Sequence, residues 1–277
     1  VTAALHRPGD RGRCAGSVAV LAWLLSVSVM PAAAAPPAGP GEPQAPTAAP
    51  PPVSPFSPYR ANYLVIGAEN SPMTGNTTSK FQLSLKYDTG ANWYFVYTQR
   101  SYWDINRESS PIIDHNIEPG LFYFWKPGAE IAGRWGVTGT RAGFVHESNG
   151  KDDVNSRAWN RAYVEPLFRW REFIFEPRAW VIVSKDEQNR DIADYYGYVD
   201  IVFGVETGTR QRLTLTGRQG LKHGSLQFDL SLPAQSLFTA SRMRPNFYAQ
   251  LWTGYGETLL YYNVRTTALR IGIEFHP

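Results

Sequence analysis

The chain has 277 residues, 43% of them hydrophobic and 14% aromatic, enough for one large folded unit or two small ones. Its formal charge is +3, and Arg7, Arg11, Arg13 and Asp10 near the N-terminus leave about one positive charge for all the rest. So even a balance gives no reason to expect a nucleic-acid partner.

Residues 1–35 begin with a basic stretch, continue through the apolar run Val18–Met30, and finish in Pro31 followed by four alanines. That order reads as a secretory signal peptide; the run is short for a bilayer core and leads directly into small residues suited to cleavage. The sole cysteine, Cys14, lies within it. A processed chain then has neither a disulfide nor a cysteine-ligated metal, and any metal must be held by oxygen or imidazole. Residues 36–56 form a Pro/Ala-rich leader, with ten of the 21 prolines falling between 36 and 58. Such a composition cannot bury enough apolar surface to offset its ordering entropy, so it reads as flexible. A folded domain is expected over 57–277.

Within that domain no apolar stretch reaches the length of a membrane-spanning helix. Short segments instead alternate polar and apolar residues with period two, which predicts strands. In chain order they fall near 59–67, 80–87, 93–103, 120–126, 135–148, 157–169, 171–184, 194–206, 209–218, 225–232, 246–263 and 268–275, twelve in all. Three are especially clear. Phe81, Leu83, Leu85 and Tyr87 oppose Lys80, Gln82, Ser84 and Lys86; Leu226, Phe228, Leu230 and Leu232 oppose Ser225, Gln227, Asp229 and Ser231; Leu269, Ile271, Ile273 and Phe275 oppose Ala268, Arg270, Gly272 and Glu274.

Two architectures alternate in this way: a soluble sandwich or barrel with a dry interior, and a transmembrane barrel whose apolar face meets lipid around a polar lumen. Arg and Glu recur within strands as well as at turns, and Trp and Tyr recur near strand ends. That pattern favours an all-β, antiparallel transmembrane barrel with aromatic girdles.

The sharpest local feature runs from Val145 to Arg161. In a strand, His146 and Ser148 point the same way, together with Ala142 and Phe144. In the next strand Ala158, Asn160, Ala162 and Val164 share one face while Arg157, Arg161 and Glu165 share the other. If the charges face the lumen, His146, Ser148 and Asn160 all face lipid, where polar groups are costly and point to function. A serine hydroxyl becomes a nucleophile when a base accepts its proton and a third group orients the base. Asn160 can supply that orientation through its amide oxygen. Two of the remaining histidines, His115 and His223, read as solvated loop residues. Arg157, Arg161 and Glu165 read as a lumenal charge network.

The run from His146 to Arg161 resembles the active-site signature of the outer membrane phospholipase A family. Further blocks resemble it in order: Ser57-Pro-Tyr-Arg-Ala-Asn-Tyr63, Lys80-Phe-Gln-Leu-Ser-Leu-Lys-Tyr87, Tyr97-Thr-Gln-Arg-Ser-Tyr-Trp103, Glu108-Ser-Ser-Pro111, Asn116-Ile-Glu-Pro119 and Gly254-Tyr-Gly-Glu257. The resemblance implies a twelve-stranded barrel in a Gram-negative outer membrane that hydrolyses phospholipids and lysophospholipids, with calcium as cofactor and a homodimer as its active form. It implies that Ser148 is the nucleophile, His146 the general base and Asn160 the residue that orients it. It further implies that Gly150 supplies an oxyanion-hole amide. By the same resemblance calcium is held by the Lys151 main-chain oxygen, the Ser156 hydroxyl and, across the dimer interface, Ser109, while Gln99 lies within that interface.

The sequence also departs from the family. Lys151 stands where arginine is frequent, which a main-chain ligand tolerates. Gln188 stands where a second calcium site has an acidic residue, beside Asp186 and Glu187. His276 and Pro277 follow the aromatic residue on which such barrels commonly end. Rival readings are a lipid A deacylase, a porin or structural barrel without hydrolase activity, and a soluble sandwich.

Overall fold

The computed structural model describes residues 54–234 and 245–275. The expected signal segment, residues 1–35, most of the expected leader, 36–56, and His276 and Pro277 lie outside the described residues. The folded part is a closed antiparallel barrel with twelve staves. They are β2 (Asn62–Asn70), β3 (Thr77–Asp88), β4 (Trp93–Asp104), β5 (Ile112–Trp125), β6 (Val137–Ser148), β7 (Ala158–Trp170), β8 (Phe173–Lys185), β9 (Val199–Glu206), β10 (Arg212–Gln219), β11 (Gly224–Pro233), β12 (Asn246–Gly254) and β13 (Thr266–Phe275). Each pairs with its neighbours in sequence, and β13 pairs with β2 to close the ring. A three-residue strand, β1 (Phe56–Pro58), pairs with the lower end of β3 beyond the start of β2, so β1 and β2 form one interrupted stave.

The alternation seen in the sequence is inside-out. Leu64, Ile66, Val181, Leu269 and Ile271 are exposed, whereas Lys80 is 2% exposed, Glu147 1% and Arg270 0%. A wall that is apolar outside and charged inside has its low-energy environment in a bilayer, where closure also leaves no unpaired strand edge. The three clear alternating strands place their apolar sets outward as expected.

The lumen is filled by ion pairs and rings rather than by an aliphatic core. Arg270 pairs with Glu69 and Glu257, Arg161 with Glu147 at 2.6 Å, and Arg218 with Asp200 at 2.6 Å. Aromatic residues including Trp159, Trp180, Tyr196 and Tyr262 pack together with Leu259 and Ile192 in the same interior. Charges held this way are desolvated but paired, which is how a polar interior becomes rigid.

Several boundaries differ from expectation. β5 begins at Ile112, well before the expected 120, because its inward residues Asp114, Asn116 and Glu118 are polar yet fully buried. His115 therefore lies in a strand rather than a solvated loop. His223 does lie between strands, stacked on Tyr195 and tilted against Tyr255. The expected strand at 194–206 is divided into helix α2 (Ile192–Tyr196) and β9. The strand expected over 246–263 stops at Gly254, and helix α1 (Ala129–Trp135) precedes β6. Arg161 and Glu165 join the lumenal network. Arg157 lies with its guanidinium 5.9 Å from the ring centre of the interior Tyr262, while its Nη1 donates to the main-chain oxygens of Val154 and Ser156 at 2.8 and 2.7 Å and pins the loop.

Candidate active site

The site is built on β6 and β7, which pair so that His146 is opposite Asn160 and Ser148 opposite Ala158. Pleating sends Val145, Glu147 and Asn149 inward and buries them, and leaves Phe144, His146 and Ser148 on the outer face. On β7 it sends Trp159, Arg161 and Tyr163 inward, with Asn160, Ala162 and Val164 outward. His146, Ser148 and Asn160 thus share the outward surface of adjacent staves.

His146 Nδ1 lies 3.0 Å from Asn160 Oδ1. Asn160 in turn donates from Nδ2 to Ser184 Oγ on β8 at 2.8 Å. Ser148 is two residues along the same strand from His146, about 7 Å between backbones, and shares its outward face. A hydroxyl, an imidazole and a neutral amide hydrogen-bonded to that imidazole are the groups that nucleophilic ester cleavage uses.

The inner face backs this wall closely. Glu147 accepts from Arg100 Nη2 at 3.0 Å, Trp159 Nε1 at 3.0 Å and Arg161 Nη2 at 2.6 Å. The Arg161 guanidinium lies 3.9 Å from the Trp159 ring centre. Sequence reasoning missed Glu147, although its place between His146 and Ser148 was a usable signal: alternation must turn it inward.

The loop 149–157 joins the two staves. Asn149 holds it: Oδ1 accepts from Arg157 N at 3.0 Å and Lys151 N at 3.4 Å, and Nδ2 donates to the Asn155 carbonyl at 2.9 Å. Gly150 has φ +64°, a left-handed conformation that side chains disfavour, and open space where a Cβ would be. Steric room is therefore not its reason for being glycine; the backbone angle is. Asn149 was not singled out from sequence either.

The residues expected to hold calcium fall at this same end of the barrel. Ser156 Oγ donates to Asp186 Oδ2 at 3.0 Å, and Asp186 immediately precedes the 3-10 turn Glu187–Asn189 just after β8. Gln188 sits within that turn, exposed. The carboxylate that meets Ser156 is therefore Asp186. Ser109, in the loop between β4 and β5, is exposed with φ +65°. Among the described residues no group of three or more His, Cys, Asp or Glu side chains converges as a metal cluster. A hydroxyl, a carboxylate and nearby carbonyls are nonetheless the hard oxygen donors that calcium takes.

Gln99 lies outward on β4, as expected, and is part of a polar chain. Tyr97 Oη donates to Gln99 Oε1 at 2.7 Å, Gln99 Nε2 donates to Ser101 Oγ at 3.0 Å, and Ser101 Oγ lies 2.7 Å from His115 Nδ1. In register, Ile117 on β5 lies between Gln99 and Ser148.

A model of the phospholipase A1 family matches residues 54–275. Phospholipase A1 of Escherichia coli strain K12 is 32% identical over 205 residues, covering 70% of this chain and 68% of that protein. The structure of outer membrane phospholipase A from Escherichia coli superposes with a TM-score of 0.70 at 29% identity, covering 80% of this chain and 91% of the other. That of Salmonella typhi, crystallised as a dimer with bound calcium, gives 0.71 at 28% identity, covering 80% and 92%. The Escherichia coli protein has also been solved as an asparagine-to-alanine active-site mutant, with a TM-score of 0.70 at 28% identity.

Proposed function

Because the chain belongs to the phospholipase A1 family, hydrolases of the bacterial outer membrane, we propose that it cleaves acyl esters of phospholipids and lysophospholipids with Ser148, His146 and Asn160 on the lipid-facing wall. The 3.0 Å contact between His146 and Asn160 across two paired staves, with Ser148 on the same surface, carries this reading. An asparagine-to-alanine active-site variant of a relative accords with it.

His146 donates its Nδ1 proton to Asn160 Oδ1, which leaves Nε2 as the base. As Ser148 Oγ attacks the ester carbonyl, its proton passes to His146 Nε2. The imidazolium returns that proton to the departing alcohol, releasing the lysolipid and leaving an acyl-serine. Water, deprotonated by the same imidazole, attacks the acyl-serine; the imidazolium then returns the proton to the departing Ser148 Oγ, releasing free fatty acid and restoring the hydroxyl. Asn160 steadies the imidazolium less than a carboxylate would, but it avoids placing another charge against hydrocarbon. The Gly150 amide serves the developing oxyanion. Lys151 through its main-chain oxygen, Ser156, and Ser109 of a second copy would hold calcium, with Asp186 rather than Gln188 as the acidic donor of a second site. Bound there, the ion supplies positive charge near the oxyanion.

Residues 1–35 export the chain; with both ends of the barrel periplasmic, the loop 149–157 lies on the extracellular side, so the trio meets the outer leaflet. Substrate arrives by lateral diffusion and the barrel acts as a scaffold rather than a pore. Self-association completes the site. The polar chain from Tyr97 to His115 supports this, since such groups in a lipid-facing wall gain from a partner that covers them. A relative crystallised as a calcium-bound dimer accords with it.

The test is fatty-acid release from phospholipid by refolded protein, with and without a calcium chelator, beside single-channel recording. Loss of release in Ser148→Ala and under chelation, with negligible conductance, is expected. Steady conductance with hydrolysis intact in Ser148→Ala would overturn the reading.

A further inference from the structure

Ser184 reaches the outer face through an irregularity in the sheet. Along β8 the inward side chains are Ile174, Arg178, Trp180 and Ile182, and strict alternation would send Ser184 into the lumen after them. The register between β7 and β8 shifts at this point, however: Arg161 is opposite Ile182, whereas Asn160 is opposite Ser184, so Val183 is an extra residue. A bulge of this kind re-aims the side chain that follows it. Here it carries a hydroxyl onto the lipid-facing wall, 2.8 Å from Asn160 Nδ2. Without the bulge Val183 would face Asn160, and the amide N–H would meet hydrocarbon.

We propose that Ser184 is a positioning residue for the hydrolytic site, acting through Asn160; the proposal rests on the assignment of His146, Ser148 and Asn160 made above. When His146 accepts the serine proton both of its ring nitrogens become donors, so Asn160 must present Oδ1 and turn Nδ2 away. Nδ2 then needs an acceptor in a wall where water is scarce. Ser184 Oγ is that acceptor. The two bonds run in series, imidazolium to amide oxygen and amide nitrogen to hydroxyl, and each polarises the other. The neutral amide thereby gains some of the stabilising power that a carboxylate would have had, without a net charge facing lipid. The contact also fixes the amide plane, so that Oδ1 stays aimed at the ring between turnovers.

The experiment uses the full barrel refolded in detergent micelles. Ser184→Ala is expected to lower kcat about tenfold, with apparent KM and thermal midpoint unchanged and with activity restored by Ser184→Thr, which keeps the hydroxyl. A second measurement is the rate at which an alkylsulfonyl fluoride modifies Ser148, which stays measurable in crippled variants. Ser184→Ala should slow it in the native background and leave it unchanged once Asn160→Ala is present. The proposal fails if Ser184→Ala retains activity within twofold, if threonine does no better than alanine, or if the slowing persists without Asn160. Should Asn160→Ala itself leave both rates intact, the reading of the site fails along with it; a crippled Asn160→Ala beside an unaffected Ser184→Ala sinks this inference alone.

Discussion

Trp159 donates its indole N–H to the Glu147 carboxylate at 3.0 Å, and each of these two residues is the immediate chain neighbour of a residue in the outward trio. Glu147 separates His146 from Ser148, and Trp159 precedes Asn160. Alternation turns both inward, so a lumenal bond fixes from behind the spacing of the two staves on which the site is displayed. Arg100 and Arg161 complete the carboxylate's partners. Removing it breaks two buried ion pairs and leaves Glu118 as the carboxylate shared by both guanidiniums; breaking a buried pair typically costs about 3–5 kcal/mol. Glu147→Ala should therefore lower the barrel's stability toward urea by that order and reduce hydrolysis even where the barrel still folds. Urea unfolding of the refolded variant, followed by its heat-modified gel mobility, checks the first part. A stability within about 0.5 kcal/mol of the native chain would show that the network is dispensable.

Asn149 holds three main-chain groups of the loop 149–157 with one side chain. The loop carries Gly150, Lys151 and Ser156, so its shape determines where an amide and two oxygen donors stand. Asn149→Ala should leave the barrel folded, since the contacts lie at one rim. It should cost about 1–3 kcal/mol in unsatisfied loop groups and raise the calcium concentration for half-maximal activity. A calcium titration of hydrolysis measures this, and an unchanged midpoint counts against the loop's role.

The placement of Asp186 separates two carboxamide and carboxylate candidates for metal binding. Ser156 bonds Asp186, whereas Gln188 is exposed in the following turn. Ser156→Ala and Asp186→Asn should each weaken calcium activation several-fold, because each removes a hard oxygen donor or its charge. Gln188→Ala should not. Isothermal titration of the folded protein with calcium distinguishes the three; a defect confined to Gln188→Ala would reverse the assignment.

The barrel was legible in the sequence wherever the outer face repeats apolar residues without a break, as in β3, β11 and β13. Lipid imposes that repetition on every outward position, so period two survives even when the inward positions are irregular. It failed in the first half of β5, where Asp114, Asn116 and Glu118 read as a loop and Pro119 argues against a strand. Those carboxylates and amides are buried in a charged lumen whose other half comes from distant segments, as when Arg270 meets Glu69 across 201 positions of sequence. No local pattern reports such a partner. The trio itself was readable because two of its members share one strand and the third lies opposite. Ser184 was not, since a one-residue bulge changes its face without altering its neighbours in sequence.

Glu257 lies in the segment between β12 and β13, against Arg270 and, at 3.6 Å, Lys80. Burial opposes its charge, but the two cations outweigh burial and hold the carboxyl below the ordinary 4.5. A depressed carboxyl contributes stability that is complete above the unfolded value and is lost as pH falls through the folded one. The barrel should accordingly tolerate pH 7 down to about 5 and lose urea resistance below that range. Glu257→Gln should be less stable at neutral pH, by about 3 kcal/mol, with a gap to the native chain that narrows on acidification. Parallel unfolding curves across the acid range read this directly. A gap that stays constant with pH would mean that the residue matters for its shape and not for its charge.

Gln99 presents the last test, because its chain of hydrogen bonds from Tyr97 to His115 lies on the same outward wall as the trio, with Ile117 standing between Gln99 and Ser148. Polar groups in such a wall are satisfied among themselves in one barrel, but the outward side of the chain still faces hydrocarbon. A second barrel placed there can exchange hydrogen bonds with it and exclude lipid, a contribution of about 0.5–2 kcal/mol per contact in membranes. Gln99→Ala should thus weaken self-association in detergent by roughly that amount per interface. Hydrolysis should fall in dilute micelles and recover when protein per micelle is raised, because the trio is untouched. Sedimentation equilibrium with calcium and a non-hydrolysable lipid analogue gives the association constant. Full activity from a strictly monomeric native chain would break the link between this surface and catalysis, and would leave the polar chain as a purely structural feature of β4 and β5.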